Sequence, residues 1–372
     1  MNRSIPAVVA ALFGAAVVCT ASGPAHADPA GARAAVADLA ADQWIPGAAA
    51  AKRLEYRTQN SLGEPALSSG ALFVPNGTPP PGGWPVVAWE HGTVGRADDC
   101  APTRTDFTFY RPYLQNLLSQ GFAVAATDYI GLGTPGEHAY LDGRAAANSA
   151  IDLVRAARAL DPSLSARWAA VGHSQGGHAA LFTAAQATTY APELDYRGAI
   201  AIAPGASITD TLLLLGRPGT PDILPAGMKT YTSYVLGGLR AARPGFDLDA
   251  YLTPLGRRIV ADSGQYCYDD MTARLERVSM ADMFTKPLAD GGFEAMARSV
   301  LDVPTTGYDH PLLIVQGSND IDVPAPMLWK QVADLRAAGV GVDTRDYPGY
   351  DHMQALDDTY ADTNTYLHNL FR

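Results

Sequence analysis

The chain has little cysteine, little lysine and no hydrophobic run long enough to cross a membrane. Its 372 residues include three cysteines, and only four of its 27 basic residues are lysines. With 38 acidic residues the formal net charge is −11, which argues against a nucleic-acid partner. No segment approaches the roughly 20 consecutive apolar residues of a membrane span. No group of Cys, His, Asp and Glu has zinc-like spacing, so we expect no metal.

The N-terminus has the three parts of a secretory signal peptide. Arg3 precedes an apolar run from Ile5 to Val18, and Ala25-His26-Ala27 has the small-residue pattern of a cleavage site. We therefore predict a signal peptide over residues 1–27 and a secreted, extracellular mature protein. Cys19 lies in this segment. Its alternative role, as a lipoprotein attachment site, is disfavoured because the three residues before it match such a signal poorly.

Two cysteines, Cys100 and Cys267, remain after the predicted cleavage. An even pair in an exported protein suggests one disulfide.

Apolar runs alternate with helical patterns along most of the chain. This alternation predicts an α/β fold with a mostly parallel sheet and helices on both faces. It stops between residues 208 and 306, where helix-like stretches are interrupted by prolines. We therefore predict a core formed by residues 28–207 and 307–372, with residues 208–306 inserted as a helical cap. The Ala-rich stretch from Asp28 to Trp44 predicts a short helix.

The stretch from Trp168 to Ala180 combines a buried strand, a sharp turn and a helix. Its turn reads Gly172-His173-Ser174-Gln175-Gly176, the G-x-S-x-G pattern of a nucleophile elbow. The glycines are needed because a side chain there would collide with the neighbouring strand or helix. Ser174 should adopt a strained backbone conformation at the helix N-terminus, where main-chain N–H groups favour an oxyanion. We interpret His173 as elbow packing and His178 as helix surface.

An acid and a histidine should follow the serine, on loops at the carboxyl ends of later strands. Asp320 follows a late apolar strand, and Asp322 is the alternative. His352 lies in the loop before the last helix, whereas His368 falls within that helical pattern, so we expect His368 on its surface. The order Ser174, Asp320, His352 is that of the catalytic triad of α/β-hydrolases. His352 would take the proton of the serine, and Asp320 would orient the imidazole.

An oxyanion hole needs two N–H donors. The first is predicted at Gln175, directly after the nucleophile. The second is predicted at Thr93, in the loop after the strand Trp84–Trp89, because Gly92 lets the backbone turn toward the site. Val94 is the alternative if the turn runs one residue longer. His91 is interpreted as a packed loop histidine with no part in proton transfer.

A possible cofactor motif occurs at residues 131–136, which match G-x-G-x-x-G after a strand. A dinucleotide site also needs a helix opening at the motif and an acidic residue at a strand end about 20 positions later. Pro135 breaks an early helix, and the residues about 20 positions on fall within a helical pattern. We therefore expect no cofactor.

With these residues placed, the chain resembles the secretory lipase family (Candida antarctica lipase A-like) of the α/β-hydrolase superfamily. The matching segments are Asp99-Cys100-Ala101-Pro102-Thr103, Asp128-Tyr129 to Gly133, the elbow, Tyr190-Ala191-Pro192-Glu193-Leu194, and the stretches around Asp320 and His352. The resemblance implies a capped α/β-hydrolase fold, ester hydrolysis and the triad named above. It places half of the oxyanion hole after His91-Gly92, and it implies that Cys100 pairs with Cys267.

The sequence therefore predicts a secreted, cofactor-free lipase or carboxylesterase that cleaves acylglycerols or other lipid-like esters through an acyl-enzyme. Its partners would be a small-molecule or lipid ester and, transiently, a lipid interface. The alternatives are a serine peptidase or amidase, a small-ester deacetylase, and a catalytically dead binding scaffold. Some apolar cap residues are expected to roof the pocket, and most of the set to pack within the cap: Leu212 to Leu215, Tyr231, Tyr234, Val235, Leu236, Met280, Met283 and Phe284.

Overall fold

The computed structural model describes Met1 and residues 30–372, so the predicted signal peptide and Cys19 lie outside the described residues. The described residues form a nine-stranded sheet with the order β1-β2-β3-β5-β4-β6-β7-β8-β9. The strands are β1 (Arg33–Asp38), β2 (Ala48–Gln59), β3 (Pro65–Pro75), β4 (Trp84–Glu90), β5 (Ala123–Thr127), β6 (Leu164–His173), β7 (Asp195–Ile202), β8 (Leu312–Gly317) and β9 (Val342–Tyr347).

Eleven α-helices accompany the sheet in the described part of the chain. They are α1 (Arg111–Ser119), α2 (Gly143–Leu160), α3 (Gln175–Tyr190), α4 (Ile208–Leu215), α5 (Ala226–Ala242), α6 (Pro254–Asp262), α7 (Tyr268–Leu275), α8 (Phe293–Leu301), α9 (Ala325–Ala337), α10 (Gln354–Asp357) and α11 (Tyr360–Leu370). Within the residues that the structure describes, no helix is both long and apolar enough to span a bilayer.

Alternate residues of β4 face opposite layers, as the twofold period of a strand requires. Val86 and Ala88 pack in the core that contains residues of α2 and α3. Val87 and Trp89 pack in a second core with residues of α1 and α11. Strands β5, β4, β6, β7, β8 and β9 pair in parallel, whereas β1, β2 and β3 are antiparallel. The predicted mostly parallel sheet with helices on both faces is confirmed.

The helix predicted between Asp28 and Trp44 is wrong. Arg33–Asp38 is instead an edge strand that pairs antiparallel with β2, and all six of its residues are exposed. Alanine favours a helix only weakly, by fractions of a kcal/mol per residue. The main-chain hydrogen bonds offered by the neighbouring strand outweigh that preference.

The chain between β7 and β8, predicted as the cap, contains helices α4 to α8. These helices pack around a core of their own, in which Tyr234, Leu236, Met283 and Phe293 are fully buried. Strands β6 and β7 are adjacent and parallel, so their carboxyl ends lie at the same end of the sheet. The segment that follows β7 therefore starts at the end of the sheet where Ser174 lies.

Candidate active site

Ser174 lies at a strained turn between β6 and α3. Its backbone has φ 59° and ψ −118°, a region that non-glycine residues rarely adopt. A Cβ atom on Gly172 would lie 2.1 Å from the main-chain oxygen of Gly176, and one on Gly176 would lie 1.8 Å from that of Glu90. Glycine is therefore required at both positions, as the G-x-S-x-G pattern predicts.

Asp320 and His352 form a buried pair at the ends of β8 and β9. Nδ1 of His352 lies 2.7 Å from Oδ2 of Asp320. The other carboxylate oxygen of Asp320 accepts hydrogen bonds from the main-chain N–H groups of Asp322 and Val323, at 2.9 and 2.8 Å. Asp322 itself accepts a hydrogen bond from the hydroxyl of Tyr231 at 3.0 Å. Of the two candidate acids, Asp320 is therefore the one that contacts His352.

The loop that carries His352 also contacts the elbow. The Nε2 atom of His173 lies 3.1 Å from the main-chain oxygen of His352. The two imidazole rings are 4.6 Å apart, centroid to centroid, and inclined by 44°. Because Ser174 is the next residue after His173, these contacts place the loop of the predicted base against the end of the strand that leads into the predicted nucleophile.

The loop after β4 lies directly against the elbow. A Cβ atom on Gly92 would lie 3.2 Å from Cβ of Ser174 and 2.4 Å from the hydroxyl of Tyr110, so a larger residue there would have to displace Tyr110. The next residue, Thr93, shares a 2.6 Å hydrogen bond with the hydroxyl of Tyr140. This is the position at which the sequence predicts the second oxyanion donor.

Ser174 opens into a cavity of about 100 Å³, which we name the serine cavity. Its lining is mostly apolar and comes from both the core and the predicted cap: Tyr140, Leu141, Ser174, Gln175, Gly205, Ala206, Ile208, Thr211, Leu212, Met228, Tyr231, Thr232, Val235, Asp322, Val323, Pro324 and Met327. Burial, followed by the nearby Asp322, raises the pKa of Tyr231, so its hydroxyl stays protonated and donates to that carboxylate.

The apolar cap residues named from the sequence lie in different places. Leu212, Tyr231 and Val235 line the serine cavity, as predicted. Tyr234, Leu236, Met280, Met283 and Phe284 lie in the core of the inserted segment instead, as expected for most of the set. Helical periodicity identifies both groups as buried but does not say which face of a helix meets the serine.

Buried histidines surround the site and are held neutral. Burial lowers the pKa of His138 to about 3 and that of His178 to about 4, and it also lowers the pKa of His91. The pKa of His173 is well below the usual range, because of burial first and then the proximity of His352. The surface position predicted for His178 is wrong, since its ring is buried and bonds to the main-chain oxygen of Leu301 at 2.7 Å.

One set of potential metal ligands occurs at this site. Atoms of Asp320, Asp322 and His352 all lie within 4.8 Å of one another. However, Nδ1 of His352 is already bonded to Asp320, and the other oxygen of that carboxylate accepts hydrogen bonds from two main-chain N–H groups. This arrangement suits an oriented imidazole better than a cation site.

Two buried acids near the site were given no role from the sequence. Glu90 lies beneath the elbow, accepts a hydrogen bond from Thr183 at 2.8 Å, and has its pKa raised well above the usual range by burial. Asp128 accepts hydrogen bonds from Ser69 and from both the hydroxyl and the main-chain N–H of Thr103. The position of Asp128 directly after β5 is the sequence signal that could have revealed it.

The predicted disulfide is confirmed. Cys100 and Cys267 are bonded to each other and are separated by 167 positions in the sequence. Cys267 also pairs with Gly95 as an isolated β-bridge, which joins the inserted segment to the loop that follows Thr93.

Comparison with known proteins assigns the family. The model of the secretory lipase family matches residues 103–296, which is more than half of the chain. The chain belongs to the secretory lipase family. The predicted membership is thereby confirmed.

Solved structures agree with this fold. Candida antarctica lipase A in its closed state superposes with a TM-score of 0.77 at 18% identity, over 92% of this chain and 82% of that one. The rice cell wall degrading esterase LipA from Xanthomonas oryzae gives 0.75 at 21% identity, over 92% and 100% of the two chains. The α/β-hydrolase fold is therefore confirmed for this secretory lipase family member.

A curated relative is similar in sequence. A protein of Mycobacterium tuberculosis (strain CDC 1551 / Oshkosh), named a probable inactive lipase, is 28% identical over 314 residues. The match covers 77% of this chain and 66% of the relative, so it spans slightly less than two thirds of that protein's length.

Proposed function

We propose that this protein is an active serine hydrolase that cleaves carboxylic esters through an acyl-enzyme. Ser174 attacks the ester carbonyl while His352 accepts its proton, and Asp320 holds the imidazole in the required tautomer. The alcohol leaves with the proton from His352, and a water molecule then releases the acid. The observation that supports this most strongly is the Asp320–His352 pair held against the elbow through His173.

The oxyanion is assigned two main-chain N–H donors, one in helix α3 and one in the loop after β4. The N–H of Gln175 lies at the N-terminus of α3, where the helix dipole favours negative charge. The N–H of Thr93 is the second donor, in the loop that packs against Ser174 through Gly92. Val94 is the alternative donor, and its carbonyl accepts a hydrogen bond from the N–H of Tyr268 at 3.0 Å.

The serine cavity is proposed to hold the acyl chain. Leu212, Val235 and Met327 give it apolar walls, and burial of each CH₂ group stabilises binding by about 0.8 kcal/mol. The cavity is small, about 100 Å³, so we expect it to suit acyl chains of short to medium length. Such esters include medium-chain acylglycerols.

Contact with a lipid interface has separate support. Three exposed apolar side chains, Leu214, Ile223 and Ile321, are close in sequence to residues that line the serine cavity. We propose that they touch the surface of a lipid aggregate transiently while an ester enters. We further propose that the protein acts outside the cell, as its N-terminal sequence predicts.

A series of p-nitrophenyl esters tests the proposed substrate class. We expect kcat/KM to rise from acetate to an optimum between butyrate and octanoate, then to fall for longer chains. Leu212→Trp should move the optimum toward shorter chains, whereas Leu62→Trp, at an exposed turn outside the cavity, should leave it unchanged.

Two results would contradict this assignment. A preference for acetate that Leu212→Trp does not alter would indicate a small-ester deacetylase. Equal hydrolysis of matched amides would indicate a peptidase or amidase.

A further inference from the structure

His173 makes a hydrogen bond whose direction is fixed. A carbonyl oxygen can only accept, so the Nε2 atom of His173 carries a proton and donates it to the main-chain oxygen of His352. The Nδ1 atom of His173 is then unprotonated, and it is buried without a partner among the described residues. Leaving a buried nitrogen without a hydrogen-bond partner destabilises the folded protein.

His173 is unsuited to proton transfer. Its side chain is about 99% buried, and its ring lies against that of His352. Burial and the neighbouring imidazole both lower its pKa, so it stays neutral when His352 becomes an imidazolium. Any contribution of His173 to catalysis must therefore come from its hydrogen bond to His352.

The loop that carries His352 is otherwise bonded to the acid or to itself. The N–H of Asn319 donates to the oxygen of Tyr350 at 2.9 Å, and Asp351 caps the N–H groups of Met353 and Gln354. The imidazole bonds to Asp320. Among the described residues, these bonds position the loop relative to β8 and not relative to the nucleophile.

The elbow, by contrast, is fixed to the centre of the sheet. The N–H of Ser174 donates to the oxygen of Ile202 in β7 at 2.9 Å, and the N–H of His178 donates to the oxygen of Ser174 at 3.0 Å. Among the described residues, the hydrogen bond from His173 is therefore the one that connects the elbow to the main chain of His352.

We propose that His173 is a positioning residue that sets the distance and orientation of the His352 imidazole relative to Ser174 through the main-chain oxygen of His352. This inference rests on the proposed function. Misplacing a catalytic group by about 1 Å can cost on the order of 100-fold in rate. Because His173 does not line the serine cavity, its loss should lower kcat and leave KM nearly unchanged.

Variants with different reach separate positioning from packing. His173→Gln keeps an N–H donor near the place of Nε2, whereas the amide of His173→Asn is too short to reach it. His173→Phe keeps the ring and removes the donor. The matched control is His178→Phe, because His178 is also buried, neutral and bonded to a main-chain oxygen, but that oxygen belongs to Leu301.

Each variant is assayed for kcat, KM, thermal stability and the rate at which a fluorophosphonate labels Ser174. We expect His173→Phe and His173→Asn to lower kcat and the labelling rate about 10- to 100-fold. His173→Gln should stay within a few-fold of the parent, and His178→Phe should lose stability with little loss of kcat.

The inference is overturned if His173→Asn is as active as His173→Gln, or if His173→Phe loses no more activity than His178→Phe. If His173→Phe does not fold, the comparison of Gln with Asn decides alone. An unmodified protein that is not labelled at Ser174 would contradict the proposed function itself, which is a different outcome.

Discussion

The main-chain N–H of Tyr268 donates a hydrogen bond to the carbonyl oxygen of Val94 at 3.0 Å. Next to this bond, Gly95 pairs with Cys267, which is joined to Cys100. The start of α7 in the inserted segment is therefore attached, covalently and by hydrogen bonds, to the loop that carries the predicted oxyanion donor Thr93.

Removing the disulfide should therefore lower both stability and activity. For a loop of 167 positions, the chain-entropy model gives a loss of about 5 kcal/mol in the free energy of unfolding. Denaturant unfolding of the variant with Cys100→Ala and Cys267→Ala, with and without reductant, measures it. Reductant should affect only the parent protein. Two free thiols in the denatured mature protein, or full activity after reduction, would contradict this prediction.

The two candidate acids should respond differently to loss of charge. Asp320→Asn should lower kcat by about 10⁴-fold, the loss expected when the imidazole takes the wrong tautomer. Asp322→Asn should have a mild effect because that carboxylate bonds to Tyr231 and not to His352. Steady-state kinetics of both variants checks this. The reverse ranking would assign the role to Asp322.

Local patterns predict much of this site because several of its elements are short-range. Gly172, Ser174 and Gly176 lie within five residues, and the collisions that require glycine involve main-chain atoms of adjacent elements. The alternation of strands and helices then fixes the end of the sheet at which the later acid and histidine must lie.

The remainder depends on contacts between distant segments. His173 and His352 are 179 positions apart, and nothing near either residue in the sequence indicates their hydrogen bond. The edge strand Arg33–Asp38 is stabilised by β2, so its own composition predicts the wrong structure. The burial of His178 likewise depends on Leu301, at the end of the inserted segment.

The elbow glycines should be intolerant of even one methyl group. Gly176→Ala places a Cβ atom 1.8 Å from the main-chain oxygen of Glu90, so the turn must distort. We expect the free energy of unfolding to fall by several kcal/mol, in the upper range for single substitutions. Gly341→Ala is the matched control, since nothing lies within 4 Å of its Cβ position. Thermal unfolding and kcat/KM of both variants test this; equal behaviour would contradict the turn geometry.

Acid should destabilise the protein in part through His178, whose pKa is lowered to about 4 in the native state. The unfolded histidine titrates near pH 6.5. Between these values the unfolded chain binds a proton that the native protein does not, so the free energy of unfolding falls as the pH falls.

The slope contributed by one such histidine is about 1.4 kcal/mol per pH unit. His178→Gln should reduce the pH dependence by up to that amount between pH 6.5 and 4, and denaturant titrations across this window measure it. Parallel curves for the two proteins would contradict the prediction.

The most direct test of the account is whether Ser174 forms a covalent bond with an ester-like probe. We expect a fluorophosphonate to add once to the folded protein, with the adduct located on the peptide that contains Ser174 by mass spectrometry. Ester hydrolysis should disappear in step with labelling, and Ser174→Ala should show neither. An unlabelled protein, an adduct on another residue, or a Ser174→Ala variant that hydrolyses esters at the parent rate would contradict the proposed catalytic role.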